Sequence, residues 1–184
     1  MKKGIRILAI DDSPFRRGRD ARTFLVGLLF RELTLELSFK ELVTVDGDDS
    51  TEAVIKMVEH PKVREEAKLI LTHGTTFAGL NLLDMHKLYE RTKVPVVAIT
   101  SREPTNEIEK ALRSANLDYK IEVLRRNPPY MSLKTPRGTC YFSAVGMSGD
   151  EVSRLLIHFA VESKIPEQLR IVDVVARLLE GLAP

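Results

Sequence analysis

The sequence predicts a mixed-sheet α/β fold. Three apolar or alternating segments come first, strand-like and helix-like segments then alternate, and helix-like segments end the chain. This order is typical of a sheet in which an antiparallel meander is continued by parallel strands and flanked by helices. Because no linker-like segment divides the 184 residues, and a chain of this length commonly forms one domain, we predict a single domain over residues 1–184.

The first three segments are predicted to form a three-strand antiparallel meander. Residues 5–10 are largely apolar and stop at two aspartates, which is the pattern of a strand buried on both faces. Residues 23–30 are apolar, while residues 35–45 alternate before they become apolar. Residues 13–22 are polar and contain proline and glycine, which predicts the hairpin loop between the first two strands.

The rest of the chain is predicted to alternate helices with strands. Helices are expected where apolar residues recur at helical spacing, and strands where short apolar runs are bounded by polar residues. The predicted helices begin at Ser50, cover residues 80–91, 105–114 and 151–161, and resume after Pro166; the predicted strands cover residues 67–72, 94–100, 119–124 and 139–145, the last two around a proline-rich loop with Pro128, Pro129 and Pro136. The pattern leaves open whether the last helix docks on its own sheet or serves a homodimer.

Composition excludes several classes of protein. Hydrophobic residues make up 43% of the chain and charged residues 29%, as in ordinary globular proteins. One cysteine cannot form an internal disulfide or a cysteine-rich zinc site. The sequence has no apolar run of the length that a membrane helix needs, and no signal-peptide pattern is present. We therefore expect a cytoplasmic protein that does not enter the membrane.

Charge is segregated although the net charge is only +2. Basic residues cluster within residues 16–22, and acidic residues cluster within residues 46–49. An acidic pocket beside a basic rim suits a metal-dependent enzyme that acts on phosphates. Clusters of this kind also occur on solvated loops, so the charge pattern alone leaves both interpretations open.

The acidic residues are predicted to meet at one edge of the sheet. Asp11 ends the first strand, and Asp46 and Asp49 follow the third. In a meander the first and third strands run in the same direction, so their carboxyl ends share an edge. Crowded carboxylates stay ionised only when cations lie between them, and oxygen-rich sites suit Mg²⁺ or Mn²⁺. The pattern therefore predicts a divalent metal site on Asp11, Asp46 and Asp49.

Two features of this site have alternative interpretations. Asp48 and Asp49 stand where aspartate commonly caps a helix or stabilises a turn, so capping is as good an explanation as metal binding for them. His73 follows the apolar strand 67–72 and precedes Gly74, where it could serve as a ligand, a proton donor or a phosphate contact. The sequence contains no phosphate-binding loop, dinucleotide glycine motif or serine nucleophile elbow.

Four blocks of sequence resemble the archaeal endonuclease dU family, a relative of endonuclease V. They are Ile10-Asp11-Asp12-Ser13-Pro14-Phe15, Val45-Asp46-Gly47-Asp48-Asp49-Ser50-Thr51, the segment from Gly74 to Asp84, and Ile165-Pro166-Glu167-Gln168-Leu169-Arg170. The blocks occur in order over nearly the whole chain. The resemblance implies a ribonuclease H-like fold and metal-dependent nicking of DNA that contains a deaminated base such as deoxyuridine.

The resemblance also implies roles for individual residues. Asp11 matches the first-strand catalytic aspartate of the wider endonuclease V group, and Asp46 or Asp49 would supply the second carboxylate. The chain departs from endonuclease V where that family has Asp-Gly after the strand that corresponds to residues 67–72, since this chain has His73-Gly74. The departure implies a changed metal count, a role for Asp84, or loss of cleavage.

Two functional hypotheses follow. In the first, the protein is a nuclease in which Mg²⁺ or Mn²⁺ on Asp11, Asp46 and Asp49 organises the attack of water on a phosphodiester, with His73 nearby. Its partner is DNA: Arg16, Arg17 and Arg19 hold the backbone, and Thr76 and Phe77 line a pocket for the extruded base. Phe77 could instead belong to the core. In the second, it is a nucleic-acid-binding or regulatory protein that keeps the fold but has lost the ability to hydrolyse phosphodiester bonds.

Overall fold

The fold is built on a seven-stranded mixed sheet. The structure, a computed structural model, describes residues 4–184. The strands are Arg6–Asp12 (β1), Arg22–Arg31 (β2), Thr34–Thr44 (β3), Ala67–His73 (β4), Thr76–Phe77 (β5), Asn81–Leu82 (β6), Val96–Thr100 (β7), Met131–Thr135 (β8) and Gly138–Val145 (β9). The large sheet has the order β3-β2-β1-β4-β7-β9-β8, and β5 and β6 form a separate small hairpin.

The predicted meander and the parallel strands are both present. β1 pairs antiparallel with β2, and β2 pairs antiparallel with β3. On its other side β1 pairs parallel with β4, which pairs parallel with β7. The carboxyl ends of β1, β3, β4 and β7 therefore lie along one edge of the sheet, which is the edge that the sequence predicts for the site.

Helices cover both faces of the sheet. They are Ser50–Val58 (α1), Pro61–Glu66 (α2), Met85–Thr92 (α3), Glu107–Ser114 (α4), Ile121–Arg126 (α5), Gly149–Phe159 (α6) and Glu167–Arg177 (α7). The alternation of side chains along β1 divides the core, because Leu8 and Ile10 pack with α1 and α3, while Ile7 and Ala9 pack with α6 and α7. A third cluster joins α4 and α5 to the β5–β6 hairpin.

Three sequence predictions for individual elements are wrong. The predicted strand 119–124 is a 3₁₀ helix, Asp118–Lys120, followed by α5. The predicted helix 80–91 begins only at Met85, because Leu82 pairs in the β5–β6 hairpin and the Asp84 carboxylate caps the backbone N–H of Lys87 at 2.9 Å. The proline-rich loop contains β8, an edge strand that pairs only with β9.

The last helix docks on its own sheet. Leu169, Val172 and Ala176 of α7 are fully buried against β1 and β2. The side-chain amide of Gln168 donates to the Glu32 carbonyl oxygen at 2.7 Å and ties the helix to the β2–β3 turn. Since the apolar face of α7 is covered within the chain, the predicted homodimer gains no support from it. Within residues 4–184, no helix combines the length and the apolarity that crossing a membrane requires.

Candidate active site

Three parallel strands deliver polar side chains to one cleft. Asp11 lies near the end of β1, His73 ends β4 and Thr100 ends β7, and these strands are neighbours in the sheet. All three residues line a cleft of about 340 Å³, together with Asp12 and Thr75. The carboxyl edge of parallel strands is a common location of ligand sites in α/β folds, because the loops that follow the strands open there.

Asp11 and His73 form an ion pair inside this cleft. Asp11 is only 6% exposed, and its Oδ2 lies 3.0 Å from Nδ1 of His73. Its Oδ1 accepts a hydrogen bond of 3.0 Å from the backbone N–H of Asp12. The hydrogen bond to Asp11 raises the pKa of the His73 imidazole above its ordinary value, against the opposing effect of burial. The Asp11 carboxylate therefore favours the protonated form of the His73 ring.

Asp12 places a second carboxylate beside Asp11. Its Oδ2 accepts a hydrogen bond of 2.7 Å from the backbone N–H of Ala78. Burial and then the negative charge of Asp11 raise the pKa of the Asp12 carboxyl to about 6. The cleft therefore brings two adjacent carboxyl groups together beside one imidazole, and two neighbouring carboxyl groups are suitable ligands for a cation.

Asp46 lies on the same sheet edge but outside this cleft. Its Oδ1 accepts a hydrogen bond of 2.7 Å from the backbone N–H of Leu80, and its own N–H donates to the Ala78 carbonyl oxygen at 2.8 Å. Arg17 approaches the same carboxylate oxygen at 3.8 Å. Asp46 therefore fastens the loop that follows β3 to the loop between β5 and β6.

The contact between these two loops predicts that two glycine substitutions destabilise the protein to different extents. Gly79 and Gly18 both have positive φ, +84° and +76°, but only at Gly79 would a Cβ collide with the Asp46 carboxylate. We expect Gly79→Ala to lower the free energy of unfolding by about 2 kcal/mol or more in urea titrations, because backbone strain and overlap add. Gly18→Ala carries the strain alone and should cost about 1 kcal/mol. Equal losses for the two variants would contradict this description of the junction.

The carboxylate of Asp49 joins the residue before α1 to the end of β3 and to Asn81, and it makes no capping hydrogen bond with α1. It accepts hydrogen bonds from the backbone N–H of Thr44 at 3.0 Å, from the Thr44 hydroxyl at 2.7 Å and from the Asn81 side-chain amide at 2.6 Å. Burial raises the pKa of the Asp49 carboxyl, but these hydrogen bonds outweigh burial and lower it below 3.8. Of the two interpretations of Asp49, the contacts favour the one in which it stabilises a turn.

A pH dependence follows from the lowered pKa of Asp49. A carboxylate whose pKa is lower in the folded state stabilises the fold above its unfolded pKa, and this contribution is lost as the pH falls through the folded pKa. We expect Asp49→Asn to destabilise the protein most at neutral pH, with the difference from the wild type shrinking below about pH 4. Urea titrations at several pH values measure this difference, and a constant difference from pH 7 to pH 3 would count against it.

The donors for a divalent cation are concentrated at Asp11 and Asp12. Within the described part of the chain, no group of three or more His, Cys, Asp or Glu side chains is placed to hold a metal ion. The structure therefore does not gather Asp11, Asp46 and Asp49 into one metal-binding group. Mg²⁺ needs only one or two carboxylates because it keeps waters and substrate phosphates as ligands. The buried carboxylate of Asp11 and the half-buried carboxylate of Asp12 fit such an ion by their chemistry.

The residues predicted to contact nucleic acid fall into two groups. Arg16, Arg17 and Arg19 are exposed in the loop that follows Asp12, and Asp20 accepts a hydrogen bond of 2.7 Å from the backbone N–H of Arg16. Thr76 lines the cleft, whereas Phe77 is 1% exposed and belongs to the core cluster on the α1 and α3 face. The alternative interpretation of Phe77 as a core residue is the one that its burial favours.

Several site residues escaped the sequence analysis. Tyr130 lines the cleft, and it follows two prolines in a segment that was predicted to be loop. Asp173 of α7 contributes to the raised pKa of His73, and Arg177 pairs with Asp173 at 3.1 Å. The sequence could have indicated Asp173, because this acid lies beside the apolar face of the last helix. Asp84, the alternative acid, caps α3 and pairs with Arg126, away from the cleft.

Comparisons with known proteins agree with this architecture. The chain is 32% identical over 180 residues to a UPF0215 protein of Nanoarchaeum equitans, with 96% of this chain and 89% of that protein covered. A UPF0215 protein of Methanopyrus kandleri is 35% identical over 183 residues, with 96% and 91% covered. A protein of unknown function from Archaeoglobus fulgidus has a similar structure, with a TM-score of 0.85, 28% identity, and 96% and 99% of the two chains covered.

Structures of endonuclease V share the fold at lower identity. Human ENDOV matches with a TM-score of 0.60 at 20% identity, covering 94% of this chain and 83% of that one. Endonuclease V of Bacillus subtilis matches with a TM-score of 0.63 at 8% identity, covering 95% and 80%. These likenesses confirm the predicted ribonuclease H-like mixed sheet. Since the sequence model of the family described as Endonuclease dU matches residues 3–180, the chain belongs to the endonuclease dU family.

Proposed function

We propose that the protein is a metal-dependent endonuclease that hydrolyses phosphodiester bonds in DNA containing a deaminated base such as deoxyuridine. The observation that carries the proposal is the pair of carboxylates in a cleft at the carboxyl edge of the sheet, Asp11, which is buried, and Asp12, which is half-buried. Membership of the endonuclease dU family supports it. So does the fold shared with a Ciona intestinalis endonuclease V that was crystallised with inosine-containing DNA.

Asp11 and Asp12 are the residues that would hold Mg²⁺ or Mn²⁺. Held by these two carboxylates, such an ion would polarise a water molecule and offset negative charge on the phosphate. The two carboxylates are fixed for this task by hydrogen bonds, since Asp11 Oδ1 accepts from the Asp12 N–H and Asp12 Oδ2 accepts from the Ala78 N–H. Such fixed geometry reduces the reorganisation needed during the reaction.

His73 is placed to manage a proton. Its Nδ1 faces Asp11, so Nε2 is the nitrogen that can serve the substrate. The imidazole is 35% exposed, which leaves it accessible from the cleft. Because the Asp11 carboxylate favours the protonated ring, Nε2–H can donate to a phosphate oxygen or to the leaving oxygen. In this proposal His73 takes a proton-donating role at the position where endonuclease V has an acid.

The loop that carries Arg16, Arg17 and Arg19, here called the arginine loop, would hold the DNA backbone beside the cleft. Arg16 and Arg19 are exposed in the loop between β1 and β2, and this loop begins where β1 ends at Asp12. Contacts with phosphates carry no sequence information but displace counterions from DNA, and this makes binding depend strongly on salt. The loop is therefore assigned to positioning of the DNA.

This assignment predicts a change in salt dependence. We expect the double variant Arg16→Ala, Arg19→Ala to weaken binding of duplex DNA and to reduce the slope of log K against log salt concentration by about two. Fluorescence anisotropy at several salt concentrations measures both quantities. Arg64→Ala, Lys68→Ala is the matched control, since both residues are exposed beside the start of β4, at the opposite sheet edge. Equal slopes for the two double variants would remove the arginine loop from the interface.

A nicking assay tests the proposed activity directly. The substrates are matched duplexes that contain uracil, hypoxanthine or only normal bases, each with Mg²⁺, with Mn²⁺ and with EDTA. The expected result is a single-strand nick in the duplexes with a deaminated base, dependent on the metal ion. Inactivity on every substrate with both ions would overturn the proposal.

A second candidate function is a nucleic-acid-binding protein that has lost hydrolysis. The observation in its favour is the contact of 3.0 Å between Asp11 and His73, in which an imidazole ring takes up one oxygen of the first-strand aspartate. The two functions differ in their response to metal ions. A binding protein should bind DNA equally well with EDTA and with Mg²⁺ and leave every duplex intact, whereas the endonuclease should cleave only with the ion present.

A further inference from the structure

A groove extends from the Asp11 cleft toward the β8 edge of the sheet. Two further hollows, of about 210 Å³ and about 400 Å³, adjoin the cleft, and Pro104 and Tyr130 line all three. The hollow nearer the sheet edge also contains Ser132 of β8 and Tyr141 of β9. The cleft and its two neighbours therefore form one continuous surface, with the Tyr130 ring as a shared wall.

Two aromatic rings stand along this groove in defined positions. Tyr130 and Tyr141 are both half-buried, so that each side chain packs against the protein and keeps part of its surface accessible. Tyr141 pairs across the sheet with Thr100 of β7 and Ser132 of β8, which places it on the strands next to the cleft. Tyr130 also packs against the buried cluster on the α1 and α3 face. Half-buried aromatic rings provide surfaces on which flat molecules stack.

The charges along the groove argue against a path for phosphates. Arg102, Glu103 and Glu107 line the cleft on this side, and Glu103 continues into the hollow beside Tyr141. These charges give no positive excess. The arginine loop lies between β1 and β2, on the opposite side of Asp11 in the strand order. The backbone of a bound strand is thus favoured on the arginine side, and its uncharged bases on the tyrosine side.

We propose that this groove holds unpaired nucleotides of the strand that is cleaved, with bases stacked on Tyr130 and Tyr141, so that the protein prefers single-stranded or locally unpaired DNA. The inference deepens the proposed function and rests on it for the position of the scissile phosphate. Stacking on aromatic rings tolerates any base, because every base has a flat face. Deaminated bases pair poorly and leave the helix more readily than normal bases, so this preference would help select them.

Binding without cleavage tests the groove separately from catalysis. The probe is a single-stranded oligonucleotide that carries 2-aminopurine, a base whose fluorescence falls when it stacks, and EDTA is present so that no cleavage occurs. We expect tight binding with quenching for the wild type, and a weaker response for the same sequence as a duplex. Tyr130→Ala and Tyr141→Ala should each weaken single-strand binding roughly tenfold and reduce the quenching, while Tyr130→Phe should retain both.

The chain offers a matched control in Tyr119, which is 62% exposed and lines none of these hollows. Tyr119→Ala should bind like the wild type. Thermal unfolding of each variant shows whether it is folded. If Tyr130→Ala does not fold, the binding measured for Tyr141→Ala tests the proposal. The proposal would be overturned if folded Tyr130→Ala and Tyr141→Ala bound the single strand like the wild type, or if quenching were equal in the single strand and the duplex. If the binding results are as expected but no duplex is nicked, the proposal for the groove stands and the proposed endonuclease activity is wrong.

Discussion

Replacing Asp11 with asparagine is expected to abolish metal-dependent nicking. The substitution preserves the size of the side chain and removes the negative charge that is buried at the centre of the cleft. A divalent ion supplies several kcal/mol of charge stabilisation to phosphodiester hydrolysis, and each 1.4 kcal/mol corresponds to a factor of about ten in rate. We therefore expect the nicking rate in Mg²⁺ to fall by about a thousandfold or more.

The same variant should lose its response to the metal ion alone. A ligand present at about 100 times its Kd stabilises the folded state by about 2.7 kcal/mol, so Mn²⁺ should raise the midpoint of urea unfolding in the wild type. In Asp11→Asn this increase should disappear. Asp118→Asn is the control, since Asp118 is an exposed partner of Arg113 outside the cleft, and it should keep both the activity and the metal response. Normal nicking by Asp11→Asn would exclude Asp11 as a metal ligand.

The position of Asp11 could be predicted because it depends on local sequence and on topology alone. An apolar run that ends in acids predicts a buried strand with its carboxylates at one edge, and the meander that follows fixes the direction of the third strand. The structure confirms the meander, the two parallel strands and their common edge. His73 could be placed on this edge for the same reason, since it ends the parallel strand next to β1.

The role of Asp49 could not be predicted, because its partner is distant in the sequence. The Asn81 amide that bonds to Asp49 is 32 residues away, and it reaches Asp49 only through the folding of the β5–β6 hairpin. Aspartate after a strand is compatible with both metal binding and turn formation. The choice between them is made by contacts that no local pattern records.

Residues 119–124 show why periodicity can mislead in a short segment. Tyr119, Ile121 and Val123 alternate with polar residues, which predicts a strand. Ile121 and Leu124 are also three residues apart, which suits one face of a helix, and both pack in the cluster that contains Leu112. Because these six residues fit both the strand and the helix period, tertiary contacts decide between the two, and a buried lysine within the segment contributes several of these contacts.

Lys120 is that residue, and its side chain joins two separate loops. It is 2% exposed, and its ammonium donates to the carbonyl oxygens of Asp46 at 2.7 Å, Gly47 at 2.6 Å and Leu80 at 3.0 Å. Asp48 completes the surroundings with an ion pair of 3.1 Å. The ammonium thus satisfies the backbone where the loop after β3 meets the β5–β6 hairpin, and the same hairpin region donates the Ala78 N–H to Asp12.

Lys120→Met is therefore expected to be the most destabilising substitution outside the core. Methionine fills much of the same volume but leaves three carbonyl oxygens without their donor, and each unsatisfied buried group costs about 1–3 kcal/mol. We expect a loss of about 3 kcal/mol or more in the free energy of unfolding, measured by urea titration. Lys56→Met is the matched control, because Lys56 is 69% exposed in its ion pair with Glu41 and should cost less than about 1 kcal/mol. Similar losses of unfolding free energy for the two lysine variants would mean that the loops hold together without the buried ammonium. The position of Asp12 would then be set by β1 alone.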